Sequence, residues 1–400
     1  MNTHANPWPG LGAVVLGLVA AMTPVFTVAS LATPVEHELH LSGVGFGLLL
    51  SGFYALTALG SPVARRVAGR FPVPILLLTM CAVSVVALVL ATRGVVGLAI
   101  ALLLAGAGNT LTQPAAARYI AARIPDHRLS VATGLTGAAL GAAPLLPGLL
   151  AGLVAEPYGW RAALIVAIVV PVAAAAVSPL AKAGIAAPVA AEAAAPRKVG
   201  RGLVWWTVGA ALATIGSNAV ASFFVQLGTT AHLSPALAGT MLSVSSALAI
   251  AVRVAAGIRA DRAPRRNPRA VAVMMASGAL GLVLISLGHP VTFVLGAALA
   301  VAGGWGWTGL LLTAVMRVLP GQAARAGATV QLGLFGGAAV APLAFGALSA
   351  AVGVAVSVLV IAGVTLLGAL AVERGTATLF RKPGGRTPVA VPVPQGCAGR

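Results

Sequence analysis

Twelve stretches of mostly apolar residues, each about twenty long, follow one another along the chain, and no water-soluble architecture can use them all. They run Leu11–Thr33, Val44–Ala64, Pro72–Thr92, Val95–Ala117, Ser130–Val154, Arg161–Ala181, Leu203–Leu227, Ala236–Ile258, Ala270–Gly288, Val291–Met316, Gly327–Ala351 and Gly353–Val372. A bilayer core about 30 Å thick is crossed by a helix of roughly 20 apolar residues. Composition agrees, since 59% of the 400 residues are hydrophobic and 8% are charged, whereas a soluble domain carries roughly a quarter charged residues. The alternating segments of a membrane barrel are absent. The first stretch is too long for a signal-peptide core and has no basic leader, so it is expected to be retained. The fold class read from these runs is an all-α membrane protein with twelve transmembrane helices.

Charge placement then sets the topology. The net charge of +18 would suggest nucleic acid in a soluble chain. With the N-terminus inside, however, 23 of the 25 Lys and Arg residues fall in the even-numbered loops and the tails. This count takes Arg253, Arg259, Arg262, Arg265, Arg266 and Arg269 as the eighth loop. Arg93 and Arg161 fall outside. The positive-inside rule therefore puts both termini in the cytoplasm of a multi-pass inner (plasma) membrane protein, and the charge marks a face rather than a nucleic-acid site. The expected organisation is a six-helix half over 1–181, a cytoplasmic Ala/Pro-rich linker over 182–201, a second half over 202–372 and a disordered Pro/Gly-rich tail over 373–400.

The halves echo each other. His40-Leu41-Ser42, Gly47 and Ser51 return as His232-Leu233-Ser234, Gly239 and Ser243 at a constant offset of 192. Ala132-Thr133, Gly137 and Gly141 return as Ala328-Thr329, Gly333 and Gly337 at an offset of 196. Both offsets are close to half the chain, as in transporters built from parallel repeats.

The loop after the eighth run reads Gly257-Ile258-Arg259-Ala260-Asp261-Arg262-Ala263-Pro264-Arg265-Arg266. It resembles the G-x-x-x-D-R-x-G-R-R signature of the major facilitator superfamily, with Pro264 where Gly is usual. The matching first-half loop, Gly60 to Arg70, has Ala64 where the acid would stand. Gly159-Trp160-Arg161 also resembles a family feature, as do the glycines and prolines of the fifth run. Ser61-Pro62 weakly resembles the cyanate/nitroimidazole permease branch. The resemblance implies the major facilitator fold of two six-helix pseudo-repeats. It further implies a cytoplasmic gate in which Asp261, beside Gly257, Arg262 and Arg266, meets the start of the fifth helix near Arg128. Gly257 is read as allowing a tight helix exit.

In that family the cavity is lined mainly by helices 1, 4, 7 and 10. Polar residues sit in those runs at helical spacing: Thr23 and Thr27; Asn109 and Gln113; Thr214, Asn218, Ser222 and Gln226; Trp305, Trp307 and Thr308. The cavity residues expected are Thr27, Asn109, Gln113, Asn218, Trp305, Trp307 and Thr308, with Gln331 in the eleventh run. Amides in hydrocarbon need partners or water. For the hydroxyls, a bond to the helix's own backbone is the competing reading.

Other chemistry is thin. The seven acids all fall in loops or at helix ends, which leaves no proton relay inside the spans. No Walker A loop follows from the lysines. Glu36-His37-Glu38-Leu39-His40 has metal-ligand chemistry but reads more simply as a solvated polar loop. The two cysteines, Cys81 and Cys397, make no disulfide framework. The reading is a permease, not an enzyme, with no catalytic residue, metal or cofactor. Its partners are a small-molecule substrate and the lipid bilayer; a coupling ion stays open, and a monomer is expected. The alternatives are a non-transporting sensor on the same fold and a drug-efflux antiporter.

Overall fold

In hydrocarbon a backbone must satisfy its own N–H and C=O groups, and each apolar run does so as a helix. The structure is a computed structural model that describes residues 6–125, 128–183, 200–262, 267–318 and 323–380; the side chains of residues 129–130, 260–262, 316 and 323–325 lie outside that description. Among the described residues, twelve helices are long and apolar enough to cross a membrane. Spans 1 to 6 are Trp8–Ser30, Gly43–Arg70, Val73–Ala91, Gly94–Arg123, Val131–Tyr158 and Trp160–Leu180. Spans 7 to 12 are Arg201–Thr230, Pro235–Arg259, Asn267–Ser286, Pro290–Val315, Ala326–Val352 and Val354–Phe380.

Two details depart from the sequence reading. The last helix continues to Phe380 instead of ending at Val372, because Ala377, Leu379 and Phe380 resume its apolar character after Glu373 and Arg374. The eighth helix runs on through Arg262, so Gly257 lies inside it and marks no helix exit. Most of the linker and the last twenty residues fall outside the described residues.

Several spans are broken where their sequence demands it. Span 4 divides at Asn109, with one helix over Gly94–Asn109 and the next over Thr112–Arg123. Span 5 divides at Ala143–Pro144 and ends in a π turn over Ala151–Ala155. Pro144 and Pro147 there lack the N–H that an unbroken ladder needs. Span 7 is kinked at Phe223 (φ −123°, ψ 18°).

The internal repeat is visible in the backbone. His40 (φ 51°) and His232 (φ 62°) are the described non-glycine residues with positive φ. After each, the same cap follows. Leu41 N–H donates to Glu36 C=O and Leu233 N–H to Gly228 C=O. Ser42 Oγ accepts from Gly45 N–H at 3.1 Å and Ser234 Oγ from Leu237 N–H at 3.2 Å. The two copies open spans 2 and 8.

The apolar core has three large clusters, besides a small first-half one of Ala20, Cys81 and Ala174, and their placement positions the site. One cluster is made wholly of first-half residues, among them Leu11, Leu77, Tyr119 and Ala181. A second is wholly second-half, with Trp206, Met275, Trp307 and Val372. Both lie at the end of the bundle where spans 1 and 7 begin, the end that also carries Arg65, Arg66 and Arg70. The third cluster, at the opposite end, joins the halves: Phe26, Phe46 and Trp160 share it with Phe223, Phe293 and Phe345. The halves are thus fused at one face and separate at the basic face.

Glycines trace the same wedge. A Cβ at Gly47 in span 2 would stand 2.4 Å from the Pro342 carbonyl oxygen of span 11, and one at Gly239 in span 8 would stand 2.3 Å from the Gly148 oxygen of span 5. Only glycine allows so close an approach. Nearer the basic face, Gly69, Gly134 and Gly257 would meet nothing within 4 Å.

Candidate functional site

Where the wedge narrows, a cavity of about 150 Å³ lies between the halves. Seven of the eight expected residues line it: Asn109, Gln113, Asn218, Trp305, Trp307, Thr308 and Gln331. Thr27 does not. It is fully buried in span 1, and its hydroxyl donates to the Thr23 carbonyl at 2.7 Å. This is the backbone bond that competes for any Ser or Thr in a helix, and here it prevails.

The break in span 4 puts Asn109 at a helix end. Its Nδ2 donates to Thr57 Oγ1 at 3.2 Å. Past the break, Gln331 Nε2 donates to Gln113 Oε1 at 3.5 Å, a polar contact between the two halves within the cavity wall. Trp305 is anchored by its indole N–H to the Ser217 carbonyl at 2.9 Å. Its ring packs 6.0 Å from that of Phe26 in the other half. Trp307 donates to Gly304 C=O at 2.6 Å, and Thr308 hangs on the Trp305 carbonyl at 3.3 Å.

The polar stripe of span 7 serves three places. Thr214 and Asn218 face the cavity. Ser222 is buried beyond it, next to the kink at Phe223. Gln226 reaches the far face, where its Nε2 donates to Glu36 Oε2 at 3.2 Å. Two cavity atoms are buried without any hydrogen-bond partner, the Tyr54 hydroxyl and Asn218 Oδ1. Orphans of this kind are rare in a resting core and mark where a ligand or water completes the bonding.

Sequence reasoning passed over Tyr54, Thr136, Ser217 and Gln331's neighbour Phe335 in the wall. Spans 2, 5 and 11 therefore add to the expected spans 1, 4, 7 and 10. It also misplaced Arg253. Counted as a loop residue, Arg253 lies inside span 8 with 6% of its surface exposed. Its Nε donates to the Trp305 carbonyl at 3.0 Å, its Nη2 joins the same oxygen, and its Nη1 bonds the Gly137 carbonyl.

At the fused face the expected polar loop is in part a short helix, Ala32–Glu38, and its two acids are partly engaged. Glu38 accepts from Trp160 Nε1 at 2.6 Å and pairs with Arg161. These bonds, the Trp160 one foremost, hold its carboxyl below the usual carboxylate range. Arg161 in turn stacks over Trp160, 4.4 Å from the ring centre. Glu36 is half-buried, and desolvation raises its pKa, partly offset by the Gln226 bond. Among the described residues no group of three or more His, Cys, Asp or Glu could hold a metal. Of the expected gate, Arg128 occupies the N-cap position of the helix Leu129–Ala142 without a side-chain cap bond, and its guanidinium lies 5.6 Å from the Trp8 ring centre. The side chains of Asp261 and Arg262, and all of Arg266, lie outside the described residues.

The family model for the Major Facilitator Superfamily matches residues 13–325. A solved structure described as a bacterial homolog to the human lysosomal transporter Spinster, in an inward-facing and occupied conformation, shares the fold. It superposes with a TM-score of 0.71 at 15% identity, over 94% of this chain and 97% of that one. No curated protein matches the chain.

Proposed function

The chain belongs to the major facilitator superfamily, and from that premise we propose that it carries a small solute across the cytoplasmic membrane by alternating access, through the cavity bounded by Asn109, Gln113, Asn218, Trp305 and Gln331. Membership makes it a membrane transporter. The observation that carries the finer reading is the division of the core, one large cluster shared between halves and the others private to one half or the other. A rocking machine needs each half to hold together by itself when the shared seam parts. With the basic face taken as cytoplasmic, by the positive-inside rule, the wedge opens inwards. The related structure's inward-facing description supports the same assignment. The halves are 1–181 and 202–380, the second extended by its last helix, and the linker 182–201 joins them.

Asp261 then belongs to the inner gate, which closes when the cavity turns outwards. The test is labelling of Gln113→Cys, in a chain with Cys81 and Cys397 replaced by Ser, using an impermeant thiol reagent applied from each side. Reaction from both sides, with each slowed by conditions that favour the other, is expected. Reaction from one side alone under every condition would refute alternating access and favour a fixed sensor.

A further inference from the structure

Arg253 is the one charged residue among the buried described residues, and it lies at membrane depth. An ionisable group there is expensive, and its partner is the first question to ask. No carboxylate answers. The salt bridge among the described residues is the exposed Arg161–Glu38 pair at the far face. The partners of Arg253 are carbonyls of Gly137 and Trp305. Carbonyl dipoles bond a guanidinium without cancelling its charge, and three bonds leave two of its five N–H groups over.

Both partners are wall residues of the cavity. One comes from span 5 in the first half and the other from span 10 in the second, and the guanidinium also lies 5.8 Å from the Trp305 ring centre. The charge therefore stands behind the wall and is bonded to both halves. The lining itself includes no Asp, Glu, Lys, Arg or His. It does offer hydrogen-bond donors: the amides of Gln113, Asn218 and Gln331, and the Tyr54 hydroxyl, buried and without a partner.

We propose that the solute is a small monovalent anion, a carboxylate or oxyanion, and that Arg253 supplies its countercharge while the amides and Tyr54 bond its oxygens. This rests on the transporter reading and narrows its substrate class. A volume near 150 Å³ sets the size, since an apolar cavity of about that volume holds a benzene ring. An anion in the cavity would neutralise the cation that bridges the halves, so loading and the state of the seam are linked through one residue. The exposed arginines at the wide end of the wedge, Arg65, Arg66 and Arg70 among them, add to the same field.

The experiment needs no knowledge of the natural solute. In the Cys81→Ser, Cys397→Ser background, Gln113→Cys is reacted with two methanethiosulfonates, one bearing a sulfonate and one a trimethylammonium. Their rate ratio is divided by the ratio for a free thiol in solution. A unit charge about 10 Å from the sulfur separates the two reagents by about fourfold through water and by about 250-fold at an effective dielectric near 20. The expected preference for the sulfonate is at least about tenfold. It should fall to within about twofold of solution in Arg253→Gln, and persist in Arg253→Lys. Arg253→Gln removes a buried charge and keeps a donor, so folding should survive. If it does not, the ratio in the parent chain still decides the matter. A parent ratio like that of a free thiol, or the same preference in Arg253→Gln, overturns the anion assignment. Either result leaves alternating access standing, because that depends on the side of labelling and not on the reagent's charge.

Discussion

Gly47→Ala should turn the cavity towards the fused face without unfolding the protein. The new Cβ would stand 2.4 Å from the Pro342 oxygen, 2.9 Å from its carbonyl carbon and 3.2 Å from Leu343 Cα. All three are backbone atoms, so no side chain can swing away. Spans 2 and 11 must part by about 1 Å to restore normal contact, and overpacking of this order costs about 1–3 kcal/mol. The cost falls on the state with that seam closed. In the other state the spans have already separated there. Alanine also gains about 1 kcal/mol of helix propensity over glycine, but this applies to both states and cancels in their ratio. The net shift is about 5- to 150-fold.

Labelling of Gln113→Cys from the two sides reads that ratio, and two controls isolate the cause. Gly69→Ala, on the same helix, meets nothing within 4 Å and should shift nothing. Gly337→Ala would put a Cβ 2.2 Å from the Ala211 oxygen of its own half. It should lower thermal stability with little change in the ratio, because both states suffer alike. The reasoning fails if Gly47→Ala leaves the ratio where it was, or moves it no further than Gly69→Ala does.

Three further outcomes are expected. Glu36 has its pKa raised by desolvation, only partly offset by the Gln226 bond, so the state closed at that face binds the proton more tightly than the open one. The closed seam should be favoured as pH falls through the window that starts at the usual carboxylate value and extends above it. Glu36→Gln should remove the pH dependence of outside labelling and leave the seam closed. Asp261→Asn should leave membrane insertion normal and bias the cavity inwards by about 1.7- to 30-fold, the worth of about 0.3–2 kcal/mol at a helix terminus; unchanged labelling and flux would make Asp261 a mere loop residue. Reporter fusions at Lys198 and Glu38 should report opposite sides of the membrane, and equal sidedness would sink the twelve-span topology.

The spans were legible because hydrocarbon imposes one requirement on twenty residues at a time, which noise in single positions cannot hide. The repeat was legible as a pattern, but its work was not. Gly47 and Ser51, with their counterparts Gly239 and Ser243, turn out to be the seams between the halves. Leu343 N–H donates to Ser51 Oγ at 3.0 Å, and Ser243 donates to the Leu145 carbonyl at 2.6 Å. Nothing in a single sequence tells a glycine that meets the other half from one that meets its own, as Gly337 does. Amides pointed to the cavity because a helix backbone cannot satisfy them. Hydroxyls did not point, since Thr27 satisfies itself while Ser217, which bonds the Ala213 carbonyl in the same way, also lines the cavity. Arg253 was hidden by company: five more arginines follow it within sixteen residues, and the positive-inside pattern absorbed it. The available signal was its setting, between Ile250-Ala251-Val252 and Val254-Ala255-Ala256, which is still hydrocarbon on both sides.

The chemistry of the seam also explains how such a structure can move at all. Lipid gives helices no hydrophobic reason to associate, so close van der Waals contact and a few hydrogen bonds must hold the halves together. Among the described residues the polar ties between halves are sparse: Ser51 to Leu343, Ser243 to Leu145, Gln226 to Glu36, Arg253 to Gly137 and Gln331 to Gln113. Interhelical bonds in membranes average about 0.6 kcal/mol. Five of them amount to about 3 kcal/mol, within the range in which a bound solute can tip a two-state balance. Each half is secured differently, by large side chains such as Trp206, whose indole N–H donates to the Val372 carbonyl at 3.2 Å. Breaking that would cost far more than parting two glycine helices. The division between strong cores within halves and a weak, small-residue seam between them sets where the molecule yields. Of these ties, Arg253 alone brings a positive charge, and no described carboxylate offsets it, so it is the tie on which an anionic solute would have the greatest leverage.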